Sequence, residues 1–239
     1  MGWFRSKRYP TILFVLYVLA FIWSAYKPAY LQDFILETVL AFLLVLFLFL
    51  TRKKFPLSNL SYTLIFVFLI MHTIGAHYTY SEVPYETWGK AILGISINAI
   101  FGFTRNNFDR LVHFSFGLLF AYPIRELFMR VANTRGVWSY YLPFDVVASF
   151  SAIYELIEWF AALAFGGDLG AAYLGTQGDV WDAQKDMAMA MLGALFTMII
   201  TFFINMKYKK GFGNELKESL SVKRKEPLGE VELRKMMKR

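Results

Sequence analysis

Apolar runs as long as a bilayer is thick leave this chain few folds to choose from. A spanning helix needs roughly 17–25 mostly apolar residues. The segments 10–26, 34–50, 59–78, 145–165 and 184–206 satisfy this, and 108–130 joins them if its terminal charges reach the interfaces. Backbone inside hydrocarbon must satisfy its own hydrogen bonds, which helices do. The expected fold class is therefore all-α: a polytopic transmembrane helix bundle with about six spans plus one re-entrant or interfacial helix. Residues 1–206 form the transmembrane helical domain and 207–239 a basic cytoplasmic tail, too short for a domain of its own.

Charge supports this division. Only 18% of the 239 residues are charged, against about 25% in an ordinary soluble domain. The tail holds eleven Lys/Arg and five acids, which is +6 of the net +7. That pattern describes a membrane body with a charged appendage and not a nucleic-acid binder. Anionic lipid headgroups are the expected partners of the tail, through Lys223, Arg224, Lys225 and the terminal Arg234–Arg239 group. Cysteine is absent, which removes disulfides, thiol nucleophiles and metal–thiolate sites. Arg5, Lys7 and Arg8 before an apolar run resemble a signal peptide, but no small-x-small cleavage site precedes Lys27, so the run reads as an uncleaved first helix. Met1-Gly2-x-x-x-Ser6 is a very short match to a myristoylation signal.

The stretch 88–103 is short and contains Lys90, Asn98 and three glycines. If it spanned, sixteen Lys/Arg would face outward and nine inward; if it does not, twenty lie inside and five outside. Basic loops stay cytoplasmic, so six spans, with both termini in the cytoplasm, is the expected topology. Trp3, Tyr9, Trp23, Tyr26 and Tyr30 suit an interfacial belt. Asp145 is placed to cap 145–165, and Glu126 and Arg130 stand at ion-pair spacing.

This topology places nine ionisable residues in or beside the spans in one half of the bilayer, where such groups mark pathways or sites. They are His72, His77, Asp109, His113, Glu155, Glu158, Asp179, Asp182 and Asp186. Asp109/His113, Glu155/Glu158 and Asp182/Asp186 each share a helix face. His72 and His77 are about 140° apart on a helix and cannot both point inward unless the helix ends near Gly75. So many carboxylates in low dielectric need protons, Arg partners or a cation. His72, His77, His113, Glu155, Glu158, Asp182 and Asp186 are candidate ligands of a divalent metal, with zinc or manganese suiting the mixed donor set. Glu155, Glu158, His113 and Asp109 are candidate catalytic groups. Without a metal, the same carboxylates could share protons in a carrier, or lock the bundle. Asp179 and Asp182 also read as helix caps, and the glycine-rich loop 166–181 as a connector or a weak anion cradle.

The text around these residues resembles the YjdF-like family of bacterial inner-membrane proteins. It comprises His72-Thr-Ile-Gly-Ala-His77-Tyr78, Asn107-Phe-Asp109-Arg110-x-x-His113-Phe114, Tyr154-Glu155-x-x-Glu158-Trp159 and Gly175-Thr-Gln177-Gly178-Asp179-x-Trp181-Asp182-x-Gln184-x-Asp186-Met187. The resemblance covers about residues 60–200 and implies a membrane protein without implying an activity. More distantly, Asp109–Phe114, Glu155–Glu158 and Asp182–Asp186 are similar to a pattern of VanZ-like membrane proteins, associated with glycopeptide resistance. Arg110, Glu158 and Asp186 stand where that pattern has Lys, Gln and Asn. The expected function is an envelope protein whose acid/histidine site in the outer leaflet binds or acts on a lipid-linked or polar substrate, with a divalent metal. The alternatives are a proton- or cation-coupled carrier and a structural membrane protein.

Overall fold

The apolar runs fold as helices throughout. The computed structural model describes residues 8–167, 176–223 and 226–238. The myristoylation-like start with Arg5 and Lys7, most of the glycine-rich loop, Arg224, Lys225 and Arg239 lie outside the described residues. The long helices are α1 (Tyr9–Ser24), α2 (Leu31–Thr51), α3 (Asn59–Tyr78), α6 (Phe108–Val131), α7 (Trp138–Phe165) and α8 (Asp182–Tyr208). Between α3 and α6 lie two short pieces, α4 (Tyr85–Trp88) and α5 (Ile97–Phe101), and the tail forms α9 (Phe212–Ser219) and α10 (Leu228–Met237). Five of the long helices have the length and hydropathy to cross a membrane, and α1, at 16 residues, is a shorter apolar sixth. At 1.5 Å per residue α1 covers about 24 Å, a little less than a hydrocarbon core.

The bundle is built for lipid outside. Large apolar side chains such as Leu19, Phe42, Phe47, Phe160, Leu163 and Phe203 are exposed, whereas the interior holds Asp33, Glu37, His72, His113, Glu158 and Asp186. Since lipid is as apolar as leucine, association depends on close packing and interhelical hydrogen bonds. The tightest seam is the α6–α8 crossing. A Cβ added at Gly117 would lie 1.8 Å from the Ala190 carbonyl oxygen, and one at Gly193 2.1 Å from that of Phe114. Ala121, Val147, Ala190 and Ala194 have no solvent exposure beside this crossing, and Thr197 Oγ1 donates to the Leu118 carbonyl at 2.5 Å.

Successive long helices alternate in direction, which leaves α1 parallel to α3 and α6 parallel to α8, so the loops fall at two ends. One end carries Arg52, Lys53, Arg130 and Lys209; the other carries the acids, and the two are called here the basic and the acid end. The stretch 88–103 forms no spanning helix. It breaks into α4, a π-helical turn over Gly89–Leu93, and α5. Gly94 (φ 69°) and Gly102 (φ 66°) end the last two pieces in the left-handed conformation, which only glycine adopts without cost.

One expectation is corrected. The fifth long apolar run begins at Trp138 and not at 145, so Asp145 lies inside α7 and caps nothing. A tertiary contact sets this early start: Val137 N–H donates to Ser219 Oγ at 3.0 Å, and Trp138 Nε1 to the Ser219 carbonyl at 2.9 Å. The same contact packs the first part of the tail against the bundle. Phe212 of α9 is buried, its ring 5.2 Å from that of Phe202.

Candidate functional site

Three helices bring fourth-neighbour rows to one axis. On α6 the row is Asp109, His113, Gly117 and Ala121; on α8 it is Asp182, Asp186, Ala190 and Ala194; on α7 it is Val147, Ser151 and Glu155, with Glu158 a turn further on. Residues four apart share a face. The small residues of the first two rows set the helix spacing, and their polar ends therefore meet directly above the Gly117–Gly193 seam.

There the His113 Nε2 lies 3.5 Å from Asp109 Oδ1 and 3.6 Å from Glu155 Oε1. Donor atoms of Asp109, His113 and Asp186 all fall within 4.8 Å of one another. Glu158 is buried beside Glu155. Two of these oxygens, Glu155 Oε1 and Asp186 Oδ1, are buried with no hydrogen-bond partner. Buried polar atoms are nearly always paired; Arg110 Nε, likewise buried without a hydrogen bond, lies 4.0 Å from Asp186 Oδ1.

Arginines close the mouth. Arg105 and Arg110 both reach Asp182, Arg110 at 3.3 Å, and Arg110 also pairs with Asp179. Arg105 Nη1 donates to the Thr176 carbonyl at 2.6 Å, while Asn106 and Gln177 exchange two hydrogen bonds of 3.1 and 2.9 Å. Residues 176–182 are thereby strapped across the start of α6. Lys185, the Trp181 N–H and Arg110 hold the Asp179 carboxyl well below the ordinary aspartate range.

The candidate residues thus separate by place. Asp109, His113, Glu155, Glu158 and Asp186 come together, whereas Asp182 sits at their edge, committed to two arginines. His72 lies apart with both ring nitrogens engaged: Nε2 donates to the Glu37 carbonyl at 3.0 Å, so Nδ1 accepts from the Tyr80 hydroxyl. A helix unbroken through Gly75 turns His77 away; its Nδ1 donates to the Ser24 carbonyl at 2.7 Å and its ring stacks on Trp23.

Sequence reasoning passed over two acids. Glu37 and Asp33, four apart on α2, are both buried at the acid end. Asp33 accepts from Thr79 Oγ1 at 2.5 Å. Glu37 accepts from the Tyr154 hydroxyl at 3.0 Å, and the ring of Tyr154 stands edge-on to His113. The available signal was an acid inside the apolar run 34–50, a costly placement without an inward role.

The only metal-type donor grouping among the described residues is Asp109, His113 and Asp186. Donors about 2.1 Å from one ion lie at most about 4.2 Å apart, so modest side-chain rotation would close the set. Six carboxyls (Asp109, Glu155, Glu158, Asp182, Asp186 and Glu37) face two arginines here. The surplus of carboxyls over arginines and the two oxygens without a hydrogen bond are donors suited to a cation.

The family model described as "Predicted membrane protein (DUF2238)" matches residues 9–207. This chain belongs to that family. It is also similar to inner membrane protein YjdF of Escherichia coli (strain K12), 39% identical over 180 residues, covering 75% of this chain and 82% of that protein. No solved structure matches. Together with the helices long enough to span, these matches make the chain a multi-pass membrane protein of the YjdF family.

Proposed function

We propose that this protein is a metal-dependent membrane enzyme acting on a lipid-linked or envelope substrate at the acid end of the bundle. The observation that carries the reading is the donor grouping of Asp109, His113 and Asp186 with the unpaired oxygens of Asp186 and Glu155. In this reading these three residues hold one divalent ion, zinc or manganese, which would supply a Lewis acid and an activated water. Glu155, beside His113, would serve as the general base for such a water, with the buried Glu158 beside it. Arg105 and Arg110 draw an anionic group of the substrate to the mouth, exchanging part of their contact with Asp182 for it. The basic end lies in the cytoplasm, with both termini, so the site faces the outer leaflet. The tail is held to anionic lipid headgroups.

A proton- or cation-coupled carrier would use the same carboxylates, and Glu37 extends the acid row inward. The apolar layer of Ala121, Val147, Ala190 and Ala194 below them favours chemistry at one face. The deciding experiment is elemental analysis of detergent-purified protein beside Asp186→Asn and His113→Ala. About one zinc or manganese per chain, lost in both variants, is the expected result. Metal absent from all three samples, with flux into proteoliposomes abolished by Glu155→Gln, would replace the enzyme by the carrier. A reporter fused after Lys210 that is active only outside the cytoplasm would overturn the orientation.

A further inference from the structure

At the basic end, far from the acid cluster, α1, α2 and α3 line an open cleft. It has a volume of about 1250 Å³, above the roughly 300–1,000 Å³ typical of small-molecule pockets. Phe14 of α1, Leu48 of α2, and Phe66 and Leu69 of α3 are among its lining residues, so its body is apolar. Its mouth is not. Arg52, Lys53 and Arg130 stand there with a single acid, Glu126.

That acid is already used. Glu126 accepts from the Ser58 N–H at 2.9 and 3.1 Å, from Ser61 Oγ at 2.6 Å and from Arg130 at 2.8 Å. Arg130 also donates to the Pro56 carbonyl and lies over the Phe55 ring. Arg52 lies over the Phe49 ring, 3.5 Å from its centroid, and donates to the Phe49 carbonyl. Neither Arg52 nor Lys53 has a carboxylate partner among the described residues. Two uncompensated cations at the lip of a large apolar cleft match one chemistry: a single negative headgroup joined to hydrocarbon chains. Because α2 and α3 are spans, the body of the cleft lies at acyl-chain depth and its mouth at headgroup depth.

We infer that this cleft is a binding site for one anionic phospholipid, with its phosphate at Arg52 and Lys53 and an acyl chain beside Phe14 and Leu48. The site is separate from the basic tail and from the acid cluster. It ties α1, the shortest of the apolar helices, to α2 and α3 through lipid as well as through side chains.

The test is native mass spectrometry of the full chain released from bilayers of equal phosphatidylglycerol and phosphatidylcholine. Wild type is expected to retain one phosphatidylglycerol in preference to phosphatidylcholine. Arg52→Gln/Lys53→Gln, both exposed, should lower that preference on the order of tenfold. Neutralising the tail with Arg234→Gln, Lys235→Gln and Lys238→Gln should leave it in place. Leu48→Trp, which fills the cleft, should reduce retention of either lipid. Equal retention of the two lipids by wild type would overturn the inference. So would a preference lost with the tail charges and kept in the Arg52/Lys53 variant, or a dimer without lipid that Leu48→Trp dissociates.

Discussion

Glu126 and Glu155 are both glutamates on spanning helices with a basic side chain within reach, and the structure treats them in opposite ways. At the basic end Glu126 is saturated: two contacts from one backbone N–H, a serine hydroxyl and an arginine share its oxygens. At the acid end Glu155 has an unpaired buried oxygen, crowded by like charge from Asp109 and Asp186. An acid kept for the fold finds its partners within the fold. One kept for chemistry is left wanting a proton, a cation or a substrate, and the surrounding packing bears that cost.

The comparison can be broken most severely where the two ends join. Gly117→Val puts side-chain atoms on the Ala190 carbonyl, 1.8 Å from where the first of them would sit. It should cost about 3 kcal/mol or more, seen as loss of a monodisperse peak in size exclusion and of both ends' properties together. Normal elution and stability would mean that α6 and α8 cross elsewhere. Next is Arg105→Gln, which leaves Asp182 with Arg110 alone, in a pair whose side chains are 14% and 5% exposed. A loss of about 2 kcal/mol is expected, read by thermal unfolding in detergent, along with freer proteolysis near 176–182.

The sharpest comparison uses the two glutamates themselves. Glu126→Gln should destabilise by about 1–2 kcal/mol, as the cap of α3 and the pair with Arg130 weaken. Glu155→Gln, in buffer stripped of metal by chelator, should instead stabilise by about 1 kcal/mol, because it removes surplus charge from the cluster. If both changes destabilise equally, Glu155 is as structural as Glu126 and the contrast fails.

The smallest effects concern pH outside the spans. Hydrogen bonds from Ser96 and the Asn98 N–H, then Lys90, bring the Glu86 carboxyl down to about 2. A depressed carboxyl contributes stability that is fully present above its unfolded value near 4.5 and is lost as pH falls towards 2. Asp179 has the same sign, its contribution fading only below its unfolded value near 3.8. Protection of the Asn98 amide in hydrogen exchange should therefore be flat from pH 7 to 5 and fall in more acid buffer, with Glu86→Gln already low at pH 7. A fall beginning near neutrality would point to a different group.

Much of this architecture is legible in the chain because a bilayer asks for long apolar runs, and such runs stand out in a sequence. Fourth-neighbour spacing likewise predicts that Asp109 shares a face with His113, and Asp182 with Asp186. A helical repeat, however, says nothing about which helix lies opposite. The choice of partner needed the tertiary structure: Arg105 and Arg110 taking Asp182 out of the ligand set, Tyr80 occupying His72, and Ser24 accepting from His77. The inward turn of Glu37, the early start of α7 against Ser219 and the burial of Phe212 had the same origin. Local periodicity acts along one helix and is written in order. Hydrogen-bond satisfaction and close packing act between helices distant in sequence, and only contact across the bundle decides them.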